Sequence, residues 1–192
     1  MGWGVFGFNP GAGHNSVNIE DTKLSGAFII NISRINDDRG FFARSFCESE
    51  FAAAGIPERF VQCNISYNET KGALRGMHYQ VPPSNEGKLV RCTHGAIFDV
   101  IVDIRPDSET YLQWISVELT AQNRTAIFAP SGFAHGFQTL VDDSEVFYQM
   151  TDFYAPDLAR GFSWNDPEIG INWPLAAPII SPKDQSLSNF VE

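Results

Sequence analysis

The stretch Gly95–Arg105, GAIFDVIVDIR, decides the fold. It is almost continuously apolar, rich in β-branched residues, and closed by the turn chemistry of RPDSET. A short run of this kind, bounded by breakers, reads as a strand buried on both faces. The neighbouring segments follow the same pattern. GAFIINISR, RGFFARSF, RFVQCNISY, GALRGMHYQ and GKLVRCTHG precede it, and YLQWISVELT, RTAIFAP, HGFQTLV and SEVFYQMT follow. The breaks between them (NDDRG, PPSNEG, TAQN, APSG, VDDS) are Gly, Pro, Asn, Asp and Ser turns. About ten short strands at this spacing predict an all-β antiparallel sandwich or barrel. ESEFAAAGI, acidic at its start and stopped by Gly55, is the one clear helical segment. Beyond Tyr154 the Pro-, Gly- and Trp-rich tail reads as a wrap over the barrel, and no repeat or linker divides the chain. The expected organisation is an N-terminal extension over residues 1–22 and a single domain over residues 23–192.

The chain has 192 residues, 43% hydrophobic and 19% charged, which is enough for one well-cored domain and unlike a disordered chain. The 13 Lys and Arg stand against 23 Asp and Glu, a formal charge of −10. That balance argues against nucleic acid and anionic membranes as partners, both of which need a basic face. It leaves open a small anion held by a few well-placed cations. Cys47, Cys63 and Cys92 are odd in number and irregularly spaced, so they read as free thiols rather than a disulfide framework. The leader lacks the basic and apolar regions of a secretory signal, and a cytoplasmic protein is expected. Trp3, Phe6 and Phe8 in that leader leave docking on a neighbouring subunit open.

Four histidines bear on chemistry. His14 lies in the leader and His94 in the turn CTHGA. His78 sits inside the strand GALRGMHYQ, and His135 follows the turn APSG. Two strand histidines near Arg and Lys strands point to a shared cavity. Pro130, Gly132 and His135 in PSGFAH look like the second half of a cupin signature. A metal-binding cupin also needs HxH and a Glu on earlier strands, whereas Tyr79 and Gln80 follow His78 here. Two isolated histidines fall short of a catalytic metal's ligand set, so the expected fold is a cupin-type jelly roll with a few short helices and no metal. His as base, a carboxylate to fix its tautomer, Lys to hold an enolate oxygen and Tyr to return a proton would suit epimerisation beside a carbonyl. Lys88 and Tyr148 fit by type.

The motifs DDRGFFARSF, FVQCN, LRGMHYQ, GKLVRC, GAIFDVIVDIR, PSGFAHGFQTL, FYQMTDFYAP, RGFSWNDPEIGINWPL and ISPKD, in that order, resemble the dTDP-4-dehydrorhamnose 3,5-epimerase family. The likeness runs from about Lys23 to Asp184. It implies a homodimeric, cofactor-independent enzyme that epimerises C3 and C5 of a nucleotide-linked 4-keto-6-deoxyhexose. It implies His78 as base, Asp184 as its partner, Lys88 by the sugar oxygen and Tyr148 as the opposing acid. Substrate contacts map to Arg39, Gln62, Asn64, Arg75, His135 and Lys183, with Arg44 beside them. The chain departs from the family pattern at Arg44 and Ala159, where a Glu is usual, and at Cys63, where an Asp is usual. Epimerisation at one carbon only, a non-catalytic nucleotide-sugar module and a metal cupin are the competing readings.

Overall fold

The protein is described as a computed structural model over residues 16–56 and 59–190. Its strands are β1 (Val17–Asp21), β2 (Phe28–Ile32), β3 (Ile35–Asp37), β4 (Gly40–Phe42), β5 (Gln62–Asn68), β6 (Ala73–Gln80), β7 (Lys88–His94), β8 (Ala96–Asp103), β9 (Trp114–Thr120), β10 (Ala126–Ala129), β11 (Phe133–Thr139), β12 (Ser144–Met150), β13 (Ala159–Gly161) and β14 (Ile179–Ile180). Two short helices are α1 (Glu48–Ala53) and α2 (Pro182–Gln185). One sheet has the order β1-β2-β10-β7-β12-β5, and the other has β13-β6-β11-β8-β9 with β14 added to β6. All pairings are antiparallel except β14 with β6. Consecutive strands mostly fall in different sheets, which is jelly-roll connectivity.

The alternation of side chains along each strand sorts residues into three layers. Between the sheets, Val90 and Cys92 of β7, Ile127 of β10 and Val146 of β12 meet Ile97 and Ile101 of β8, Leu119 of β9 and Phe133 and Phe137 of β11. On the outer face of the first sheet, Phe28, Ile30, Leu89 and Phe128 pack under Phe51 of α1 and Ile56. On the outer face of the second sheet, Val100, Val102, Met77 and Ala134 are covered by Phe162 and Ile169, with Trp173 and Phe190 alongside. β8 therefore feeds two cores at once, which is why its sequence is apolar on both parities. Each large side chain buried this way contributes roughly 1.5–3 kcal/mol. The tail is pinned by backbone pairing and by Trp114 Nε1 donating to Ile169 O at 3.1 Å.

Two sequence expectations change. The extension drawn over residues 1–22 contains a strand: Val17–Asp21 pairs with β2 from Val17↔Ile32 to Asp21↔Phe28. Val17 and Ile19 pack onto the Phe28 and Ile30 layer. The aromatics Trp3, Phe6 and Phe8, with His14, lie outside the described residues. RGFFARSF is not a long barrel strand either. Only Gly40–Phe42 is extended, and it pairs with β3 in a two-stranded hairpin outside both sheets, with every residue of β3 and β4 exposed.

Between β6 and β11 the backbones approach too closely for a side chain. A Cβ on Gly76, whose φ is +127°, would lie 2.6 Å from Gly136 Cα and 2.9 Å from His135 O. This close approach sits where the β6–β11 register shifts, and it leaves His78 directly opposite His135. Gly76→Ala is expected to lower the unfolding free energy by at least about 2 kcal/mol, read as a reduced urea midpoint. An unchanged midpoint would show that the strands do not approach this closely in solution.

Candidate active site

The same alternation that builds the inter-sheet core aims a second set of residues into the open end of the sandwich. On β7, Lys88 shares the inward parity of Val90 and Cys92, and on β12, Tyr148 shares that of Val146. On β11, His135 shares the inward parity of Phe133 and Phe137. His78 of β6 pairs with His135 across the ladder. All four line a cavity of about 1010 Å³. Its walls also include Gln62, Asn64, Arg75, Lys183 and Asp184. His78 belongs to one sheet and Tyr148 to the other, so the two side chains stand on opposite walls.

His78 Nε2 lies 2.8 Å from Asp184 Oδ1. A carboxylate accepts hydrogen bonds only, so Nε2 carries the proton and Nδ1 keeps the lone pair. Asp184 is itself buried and held by α2, whose N-cap Ser181 Oγ accepts from the Asp184 amide at 3.1 Å. Burial lowers the His78 pKa from its ordinary 6.5, the Asp184 hydrogen bond and charge oppose that, and the Lys88 and His135 charges add to the lowering. The net direction is down, so the imidazole is neutral at pH 7 and can accept a proton.

The other residues are paired as firmly. Lys88 Nζ is 2.7 Å from Glu86 Oε2, with both side chains largely buried. Burial raises the Tyr148 pKa, the Glu86 charge raises it further, and Arg75 partly offsets this. Tyr148 is therefore a phenol at neutral pH, the form that donates a proton. His135 Nε2 is 2.8 Å from Asp99 Oδ2, and Asp99 is fully buried. Burial drives the Asp99 pKa up, against the charge and hydrogen bond of His135. Arg75 Nε donates to Asn68 Oδ1 at 2.7 Å, and Asn64 Nδ2 approaches Met150 Sδ at 3.2 Å. Among the described residues no group of three or more His, Cys, Asp or Glu side chains is arranged to hold a metal ion.

Of the site residues expected from sequence, the fold brings together His78, Asp184, Lys88, Tyr148, Gln62, Asn64, Arg75, His135 and Lys183. It does not bring Arg39 and Arg44 to this cavity within one chain. Arg39 is exposed at the tip of the β3–β4 hairpin, where it pairs with Asp37 at 2.5 Å. Arg44 pairs with Glu50 Oε1 at 2.6 Å, and Glu50 Oε2 takes the Val17 amide at 2.8 Å. The reason is local: Glu50, in the first turn of α1, draws the Arg44 cation to itself. Ala159 does line the cavity, beside Arg160, whereas Cys63 is exposed on β5. Three charged positions at or behind the cavity escaped the sequence reading. Glu86 was hidden in a turn, Arg160 in the tail, and Asp99 in an apolar strand, where its charge was the available signal.

A family model described as dTDP-4-dehydrorhamnose 3,5-epimerase matches residues 21–192. The Shigella flexneri dTDP-4-dehydrorhamnose 3,5-epimerase is 43% identical over 177 residues, 92% of this chain and 97% of that one. The crystal structure of the Bacillus anthracis enzyme of the same name, with TDP and PPi bound, superposes with a TM-score of 0.88 at 39% identity, over 91% of this chain and 100% of that one. The Legionella pneumophila dTDP-6-deoxy-D-glucose-3,5-epimerase, in complex with dTDP-4-keto-L-rhamnose, gives 0.85 at 40% identity, over 91% of this chain and 93% of that one. With the matched model spanning most of the barrel and its tail, the chain belongs to the dTDP-4-dehydrorhamnose 3,5-epimerase family.

Proposed function

We propose that the protein epimerises C3 and C5 of a dTDP-linked 4-keto-6-deoxyhexose by proton abstraction at His78 and proton return from Tyr148. The observation that carries these roles is the His78–Asp184 pair on one wall of a cavity whose opposite wall presents Tyr148 and Lys88. The C4 ketone makes the protons on C3 and C5 acidic. His78 Nδ1 takes one of them, and the C–H electron pair moves into the enolate, whose charge falls on the C4 oxygen. The Lys88 ammonium stabilises that oxygen electrostatically, in a site where burial strengthens the interaction. Tyr148 then gives its proton to the same carbon from the other face, which inverts it. The imidazolium and phenolate left behind return to their starting forms by exchange with water. The same cycle serves the second carbon. General-base catalysis of this type contributes about 10²–10⁴-fold.

Arg75 and Lys183 supply positive charge for the diphosphate, and Gln62 and Asn64 of β5 supply polar groups along the same wall. His135, with Asp99 behind it, offers a second ring nitrogen to the sugar. We further propose a homodimer. It is supported by the β3–β4 hairpin, whose Phe41, Phe42 and Ile35 are exposed beside Arg39. The three free thiols suit a reducing cytoplasm. No helix among the described residues is long and apolar enough to cross a membrane.

In deuterium oxide the wild-type protein is expected to incorporate deuterium at both C3 and C5 of dTDP-4-keto-6-deoxyglucose, followed by NMR. His78→Ala is expected to slow this by about 10³-fold. Exchange at neither carbon would sink the reading, and exchange at one alone would select a mono-epimerase. The working base is neutral His78, so kcat/KM falls as pH drops through its pKa. Because that pKa is lowered, the acid limb is expected below pH 6.5. Asp184 raises the His78 pKa and fixes its tautomer, so Asp184→Asn is expected to shift the limb to still lower pH. The same variant should cut kcat/KM about a hundredfold or more.

A further inference from the structure

We propose that Glu86 is a positioning residue of the reaction, a buried carboxylate that holds the Lys88 ammonium in place on the wall of the cavity that carries Tyr148. The proposal rests on the roles given above to Lys88 and Tyr148 and concerns what stands behind them. Glu86 belongs to the turn PPSNEG between β6 and β7, where acidic residues are ordinarily solvated. Here it is only 8% exposed and lines the cavity. Its Oε2 meets Lys88 Nζ at 2.7 Å, with the two side chains 5% and 12% exposed. Taking both charges out of water costs about what their attraction returns, so the pair adds little to stability. Its location beside the reacting groups is what calls for an explanation.

The loop that carries Glu86 is fastened on both sides of it. Ser84 Oγ and the Asn85 amide each donate to Asp152 Oδ2 at 3.0 Å. The Gly87 amide donates to Thr151 Oγ1 at 2.6 Å, and the Thr151 amide returns a bond to Gly87 O at 3.0 Å. A Cβ on Gly87 would come within 3.2 Å of Ala129 O, so the backbone also packs tightly against β10. The carboxylate is thus held by the same segment that follows Tyr148 on β12. A lysine side chain has a long, freely rotating stem. A fixed acceptor at its tip orients the charge before substrate arrives, which is the advantage of preorganisation.

The surrounding charges define what Glu86 does. Tyr148 is faced by Glu86 from the loop and Arg75 from β6. Lys88 is faced by Glu86 and by His78 of β6, and His78 in turn by Asp184 of α2 and His135 of β11. Lys183 of α2 and Arg160 of β13 line the same cavity. Within this mostly positive group, Glu86 fixes the tip of Lys88 through their 2.7 Å contact, and its charge favours the phenol form of Tyr148. The phenol is the form that donates a proton.

The experiment compares wild type, Glu86→Gln and Glu86→Asp by kcat, KM and deuterium exchange across pH. Glu86→Gln keeps the shape and an acceptor oxygen but loses the charge. Its kcat is expected to fall about tenfold, with KM unchanged or lower. The basic limb of its kcat profile is expected to move down by about half a pH unit or more, because the Tyr148 proton is lost more readily without the carboxylate. Glu86→Asp keeps the charge one methylene back and is expected to leave the limb at its wild-type position with a several-fold lower kcat. A Glu86→Gln limb that does not move, whatever happens to kcat, overturns the proposal while wild-type exchange keeps the site reading intact. Wild-type protein that exchanges neither carbon overturns the site reading and this proposal with it. If Glu86→Gln does not fold, Glu86→Asp decides alone: a lower kcat at an unmoved limb supports positioning, and a wild-type kcat overturns it.

Discussion

The 2.8 Å hydrogen bond from His78 Nε2 to Asp184 Oδ1 joins groups 106 residues apart, one in the middle of the barrel and one near the end of the chain. For that bond to form, the tail must run back along β6. It does so on the edge of β6 opposite β11, through β13 at one end and through the parallel pairing of β14 with Ala73 and Leu74 at the other. The same path lays Phe162, Ile169, Trp173 and Phe190 over Met77, Val100 and Val102. Burying the outer face of the second sheet and orienting the imidazole are therefore one event. A barrel without its tail would lose an apolar layer and the carboxylate that decides which ring nitrogen carries the proton.

The second constraint is electrostatic. The chain carries a formal charge of −10, yet its cavity gathers Arg75, Lys88, Arg160 and Lys183 against two acids, Glu86 and Asp184. Each of those acids is bonded to a side chain of the proposed catalytic set, to Lys88 and His78 respectively. Neither is left free to repel an entering diphosphate. An acidic exterior around a locally basic pocket concentrates a small anion at one point while discouraging polyanions elsewhere. Lys88, Glu86 and Asp184 are largely buried, so their pairings are screened less than the same pairs on the surface.

Much of this was legible in residue order, for physical reasons. GAIFDVIVDIR is apolar on both parities because β8 is covered on both faces, so its burial could be read directly. His78 and His135 stood out as polar residues in strand segments, and the fold places them opposite each other. What escaped reading was anything set by the surroundings. Glu86 sits in a turn that elsewhere would be solvated, and only the bonding of that turn to Thr151 and Asp152 buries it. Asp99 was hidden by the apolar residues around it and is recognisable only once His135 is across the ladder. Arg39 and Arg44 carry the right charge in the right motif, yet within one chain Asp37 and Glu50 hold them away from the cavity.

The sequence by itself determined the all-β class, the approximate limits of β5 to β12 through its Gly, Pro and Asn breaks, and the residue types of the chemistry. These depend on local periodicity and on the intrinsic chemistry of side chains. Only the tertiary structure decided which wall each group occupies, which histidine nitrogen is free, and which of the scarce cations line the cavity. Those depend on contacts between residues far apart in the chain, such as the closeness of β6 to β11 at Gly76 and Gly136 and the return of the tail to His78. No local pattern encodes a distance between two strands, and a proton's position follows from that distance.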